Sequence, residues 1–251
     1  MKFAFARVVL ILGLFGFYTS SVYAKDLIVG VENTQYLPYF SSEGRKKNEY
    51  RGLAREMLEE YGRFNKHKIV FVPLPVKRLY KSFLTGKVDF KFPDSPYWQI
   101  DSKKGADIKY SEGIMGFTDG IMLLPEKKGT GLAGLKILGT VRGFTAFDYL
   151  EFINTGIVQL EETNTLEGLI QKVLTGRIDG AYVNIAVARY YLQEELGRRN
   201  DLVFDPILPY TVDYYRLSSI KHPNIINEFN QFLTRRRLVI NAIKHRHGVR
   251  D

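Results

Sequence analysis

The chain has 251 residues, 45% of them hydrophobic and 25% charged, with a net charge of +9 and no cysteine. The lack of thiols excludes disulfide stapling, thiolate metal sites, cysteine nucleophiles and a lipid anchor built on cysteine. The positive charge would admit nucleic acid or an anionic membrane as partner, but the basic residues are scattered apart from a tail with Arg235, Arg236, Arg237, Lys244 and Arg246; the reading adopted is a solvated basic surface with no nucleic-acid partner.

Residues 1–24 read as a secretory signal, because Lys2 and Arg7 flank an apolar run over 8–17 that leads to Val22-Tyr23-Ala24. The run is about half the roughly 20 residues a spanning helix needs. Loss of Lys2 and Arg7 with the leader would take the charge from +9 to +7. The expectation is a mature chain exported to a periplasm, without a lipid anchor, and monomeric.

A short strand is predicted over 27–31, breaking into the aromatic loop Gln35-Tyr36-Leu37-Pro38-Tyr39-Phe40. Leu53, Met57, Leu58, Tyr61 and Phe64 then recur at helical spacing. A strand over 69–72, a helix over 76–84 and a strand over 88–92 complete a βαβαβ order, which implies a mainly parallel sheet. Asp94-Ser95-Pro96-Tyr97-Trp98 is a turn-forming cluster with the only tryptophan, and an extended run over 114–124 follows.

Gly129-Thr130-Gly131-Leu132-Ala133-Gly134 matches G-x-G-x-x-G, but a strand rather than a substantial helix follows over 135–141, so it reads as a loop and no cofactor is expected. That strand ends at Arg142-Gly143-Phe144-Thr145, before a helix predicted over 146–152. Such a turn either holds an anion at a helix N-terminus, or leaves Thr145 as a simple cap and Arg142 facing water. Asn164 and Glu167 resemble a capping box for a helix over 166–174. A strand over 178–183, a helix over 185–196, extended runs over 202–210 and 214–218, and a helix from Pro223 close the chain.

The chain says one thing twice. Leu84-Thr85-Gly86-Lys87-Val88-Asp89 and Leu174-Thr175-Gly176-Arg177-Ile178-Asp179 share a helix stop on glycine, a basic residue and the start of a strand. Two similar α/β lobes are expected, with ligand chemistry at the ends of their strands, near Asp94 and Asn184.

This order resembles the family 3 solute-binding proteins of bacterial polar amino acid uptake. The resemblance rests on the aromatic loop, the two repeated units, Tyr110-Ser111 and the Arg142-Gly143-Phe144-Thr145 turn. It implies an α/β, two-lobed type II periplasmic binding fold with a cleft between the lobes and two hinge crossovers. One lobe would hold 25–120 plus 211–251 and the other 121–210. The ligand would be a small polar, amino-acid-like or amine-containing solute, delivered to the membrane permease of an ABC transporter.

By the same resemblance, Tyr36 or Tyr39 would stack on the ligand, Gly143 and Thr145 would take its carboxylate, and Asn184 stands where an aspartate usually holds the ammonium group. Lys103 or Lys104 stands where the family commonly has an arginine, and lysine lacks its planar fork. Asp94 is either a cleft carboxylate or an Asx turn. Tyr97 and Trp98 are an aromatic wall, or Trp98 is core, and Arg78 is a cleft cation or solvated. Two other functions fit the same scaffold: a prephenate dehydratase-like enzyme using Asp94 or Glu112, and a ligand-sensing partner of a membrane signalling protein.

Overall fold

The repeated unit folds the same way twice. In the computed structural model, which describes residues 25–42 and 50–249, the helix before each unit ends at the leucine, and the glycine that follows has positive φ, +70° at Gly86 and +67° at Gly176. Thr85 and Thr175 each turn their hydroxyl back onto a carbonyl of the helix they close, Lys81 and Gln171 respectively. The aspartate of each unit then ties its half together: Asp89 accepts from the amide of Ile28, and Asp179 from those of Lys136 and Ile137. The leader assigned to residues 1–24 lies outside the described residues.

In chain order the first half holds β1 (Lys25–Glu32), the small hairpin β2 (Gln35–Tyr36) and β3 (Phe40–Ser41), α1 (Leu53–Asn65), β4 (His67–Leu74), α2 (Val76–Leu84), β5 (Phe90–Asp94) and α3 (Ile100–Lys103). β6 (Lys109–Tyr110) and β7 (Met115–Leu123) leave it. The second half holds β8 (Ile137–Val141), α4 (Leu150–Asn154), β9 (Gln159–Thr163), α5 (Leu166–Leu174), β10 (Gly180–Asn184), α6 (Ile185–Tyr190) and β11 (Val203–Phe204). β12 (Thr211–Ser219), α7 (Pro223–Arg235) and α8 (Arg237–Arg246) end the chain.

The principal sheet runs β4-β1-β5-β12-β7-β10-β8-β9. Three parallel strands at each end flank two antiparallel ones in the middle, so β7 and β12 are the crossovers and pair with each other from Thr211↔Asp119 to Tyr215↔Met115. This is the α/β, two-lobed architecture with two crossovers. The parallel strands β1, β5, β8 and β10 all point their carboxyl ends at the middle, where a ligand site forms in open α/β sheets.

The helices cover the sheet with the faces that the apolar spacing selects: Leu53, Met57, Leu58 and Tyr61 of α1 are buried, as are Leu166, Leu169, Ile170 and Val173 of α5. Several expectations are corrected. The N-cap of α5 is Thr165, not Asn164, its hydroxyl accepting from Gly168. The helix expected from Ala146 begins as a single 3-10 turn over Phe147–Tyr149 and becomes α-helical only at Leu150, because Ala146 leaves helical geometry. Residues 202–210 contribute only the two-residue strand β11. The basic tail is a further helix, α8, whose Arg246 and His247 pair with Glu56 of α1.

Candidate functional site

The carboxyl ends of β1 and β10, the turn after β8 and the middle of β7 enclose one cavity of about 490 Å³ of space between atoms, its mouth included. β1 delivers Glu32, its last residue. β7 delivers Asp119, which lies opposite Asn184 of β10 and Thr211 of β12 in register. Tyr36, Phe144, Tyr182, Tyr215 and Trp98 supply aromatic walls, and Gly143 and Thr145 line the side formed by the turn after β8. A vestibule of about 660 Å³ lies outside and shares Trp98, Asp119, Thr145 and Tyr182 with it.

Contacts between the halves close the top. Gln99 donates to the carbonyl of Gly143 at 3.2 Å, Phe144 meets Tyr36 edge-on at 5.5 Å, and Tyr97 packs beside Phe147 at 5.9 Å. Gly143 has φ +91°, and a Cβ there would lie 3.2 Å from the Val76 side chain, so the turn can approach α2 this closely only as glycine.

The site is acidic at its centre. Glu32 is 4% exposed and has no hydrogen-bond partner among the described residues. Burial, with a smaller contribution from Asp94, pushes its carboxyl up from 4.5 to about 7, against the pull of Lys91. Asp119 keeps some exposed surface, but its Oδ1 atom is buried with no partner. Burial and the nearby Asp148, Glu32 and Asp213 carboxylates push it up from 3.8 to about 8. Each is therefore charged only where something else supplies the compensation.

Lys91 supplies only part of it. The Lys91 ammonium is fully buried, donates to the carbonyl of Pro93, reaches Asp94 at 3.4 Å and sits 4.3 Å from the Tyr80 ring centre. Among the described residues, neither arginine nor lysine lines the cavity.

The residues singled out from the sequence divide into two groups. Tyr36, Trp98, Gly143 and Thr145 come together around the cavity, and Tyr97 lies on the vestibule. Asp94, Asn184, Tyr39, Arg78 and Arg142 do not line it. Asp94 is wholly buried among Lys103 at 2.7 Å, Ser218 at 2.6 Å and the amide of Ser95 at 2.9 Å.

Asn184 is the cap of α6, accepting from the amide of Val187 and donating to the Tyr215 hydroxyl at 3.0 Å. Tyr39 donates to the carbonyl of Gly116 in β7. Arg78 is exposed, as is Arg142, which lies 3.5 Å from Glu162. The lysine question also resolves: Lys103 is held by Asp94 and the carbonyl of Ser95, and Lys104 is exposed.

Glu32 and Asp119 went unnoticed in the sequence, although both carried a signal. Each is a carboxylate set against an apolar run, at the end of Leu27-Ile28-Val29-Gly30-Val31 and within Ile114 to Leu124. A charge is retained in such a run only for a partner or a ligand.

No protein-family model matches this sequence, and no curated protein does. Solved structures do match in fold. An ancestral arginine-binding protein bound to arginine aligns with a TM-score of 0.71 at 16% identity, over 88% of this chain and 97% of that one. A substrate-binding protein of an ABC uptake transporter from Streptococcus pneumoniae, with bound histidine, gives 0.70 at 17%, over 88% and 92%. An ancestral amino acid-binding protein described as a precursor of cyclohexadienyl dehydratase gives 0.68 at 19%, over 88% and 95%. At these identities the likeness is one of fold.

Proposed function

We propose that this protein is a solute receptor that captures a small polar, amine-containing molecule between its two lobes and presents the closed form to the membrane permease of an ABC transporter. The observation that carries the reading is the cavity at the carboxyl ends of β1 and β10, between halves that the crossovers β7 and β12 join. A cavity so placed is opened and shut by a hinge motion of the halves. On this reading the lobes are residues 25–120 plus 211–251 and residues 121–210, the leader directs the chain to the periplasm, and the receptor works as a monomer. Tyr36, Trp98, Gly143 and Thr145 are its ligand contacts among the residues marked by the sequence.

An enzymatic reading has one specific support, that Glu32 and Asp119 both hold protons near neutrality inside the cavity, the condition a general acid requires. Asp94 is already committed to its lysines and Glu112 is exposed, so neither serves that reading. One experiment separates the two. The purified protein is melted with a library of amino acids, amines, peptides and prephenate-like acids, and each mixture is analysed for products. A rise in Tm with one class and unchanged solute supports the receptor; conversion of a solute identifies an enzyme, and no shift with any solute rejects binding.

A further inference from the structure

Resting on the receptor reading, the ligand class follows from how charge is distributed around the cavity. Lys91 and Lys103 exceed Asp94 by one positive charge, and Asp213 is matched by Arg216 at 2.9 Å. Glu32, Asp119 and Asp148 remain. Asp148 is hydrogen-bonded by the Thr211 and Tyr182 hydroxyls, but no cation pairs with it among the described residues. With all of these groups ionised, the surplus lysine charge offsets one of the three carboxylates, and the described residues in and around the cleft leave two uncompensated negative charges inside a chain whose net charge is +9.

Of the groups expected to hold a ligand carboxylate, the Gly143 amide and the nearby cations are already engaged. The amide of Gly143 donates to Glu162 Oε1 at 3.1 Å, so the chain's own carboxylate occupies the donor that an anionic ligand would need. Arg142 lies beside the same glutamate. No α-helix begins at Thr145, so the turn lacks the converging amides of a helix N-terminus. The lysine at the position of the missing arginine is committed to Asp94.

We infer that the cavity takes an organic cation without a carboxylate, an amine or guanidine whose charged group lies between Glu32 and Asp119 with the faces of Tyr36, Trp98 and Tyr215 around it. Buried aromatic faces attract such cations, and the attraction grows as water is excluded. A Glu32 carboxylate that is buried without a partner gains one, as does Asp119 Oδ1. An amino acid would bring in a second charge for which the described lining of the cavity holds no cation, only neutral donors such as the Thr145 hydroxyl and the Trp98 indole.

The test uses matched pairs that differ only in the carboxylate: agmatine with arginine, cadaverine with lysine, histamine with histidine and tyramine with tyrosine. Affinities of the purified protein are measured calorimetrically at pH 8. The expected result is that at least one amine binds tenfold or more tightly than its amino acid. E32Q and D119N should each lower that affinity at least tenfold while melting no lower than the parent.

Equal or tighter binding of the amino acid overturns the inference and leaves the receptor reading intact. So does binding of a neutral or anionic solute alone, or an amine affinity untouched by both substitutions. Absence of binding by any solute in the wider library, or chemical conversion of one, overturns both.

Discussion

Asp94, wholly buried behind the cleft, and Asp119, on its lining, are the same residue type in opposite surroundings. Asp94 accepts two lysine ammonium groups, a serine hydroxyl and an amide, all from the protein. The Asp119 side chain has no hydrogen-bond partner among the described residues and faces three other carboxylates. The first aspartate holds β5, α3 and β12 together and is finished in the empty protein. The second is left incomplete, and an incomplete buried charge is a cost to folding that a ligand removes.

The largest effect that would break this contrast is D94N. It strands Lys91 and Lys103 in a buried position, and removing one partner of a buried ion pair costs about 3–5 kcal/mol. Urea unfolding should show that loss. By contrast D119N removes an uncompensated charge, and at pH 8 the empty protein should gain about 1–3 kcal/mol, the scale of relieving an unsatisfied buried group. If both asparagine variants shift stability in the same direction, the distinction between a structural and a binding carboxylate fails.

Acidity gives a second handle on the same pair of environments. Unfolded, Glu32 and Asp119 would release their protons near 4.5 and 3.8; folded, they hold them until about 7 and 8. Between those limits the native state binds more protons than the unfolded chain, so stability is greatest at the acid end and falls as pH rises through the folded values. The groups facing Glu32 include Lys91, Asp94, Tyr36, Tyr50 and Tyr80, and those facing Asp119 include Asp148, Asp213, Tyr36, Tyr182 and Tyr215.

Burial alone would raise Asp89, Asp179 and Asp213 too, but their lysine, arginine and amide partners outweigh it and lower them. Their contribution is present above the unfolded value near 3.8 and is lost as pH falls below it. Denaturation midpoints of the empty protein should therefore peak between about pH 4 and 6 and decline toward pH 8. D119N should flatten the alkaline decline, and a bound amine should reverse it, because the ligand favours the ionised carboxylates. A midpoint that climbs steadily from pH 5 to 8 in the empty protein contradicts this assignment.

What the sequence disclosed follows the same division. The duplicated helix-stop-strand unit was legible because its turn chemistry is local: the glycine at positive φ and the threonine turned onto its own helix lie within one short motif, whereas the aspartate reaches the first strand of its half across 61 residues to Ile28 and 42 to Ile137.

Asp94 and Asn184 occupy equivalent ends of β5 and β10, and position alone marked both for the site. Their roles were set by distant partners: Ser218 lies 124 residues from Asp94, and Tyr215 lies 31 from Asn184. Asp119 sits opposite Asn184 across the β7–β10 ladder, so the negative charge sought on one strand stands on its neighbour. Such a transfer is invisible until the antiparallel register is known.

The smallest expected effect concerns how the two surroundings are brought together. Gly143 carries φ +91°, and a Cβ added there would meet Val76 and the Lys77 stem across the cleft. Alanine there would add left-handed strain of about 1–2 kcal/mol and a contact with Val76 at 3.2 Å. Strain at the turn acts in both open and closed forms, but the contact with Val76 exists only when the halves meet. G143A should therefore lower Tm modestly and weaken ligand affinity several-fold, chiefly through faster dissociation, with a larger radius in small-angle scattering of the liganded protein. Restoring space with V76A should recover the affinity and not the Tm. If V76A rescues neither, Gly143 serves its own turn only, and Glu32 and Asp119 are brought around the ligand by other contacts.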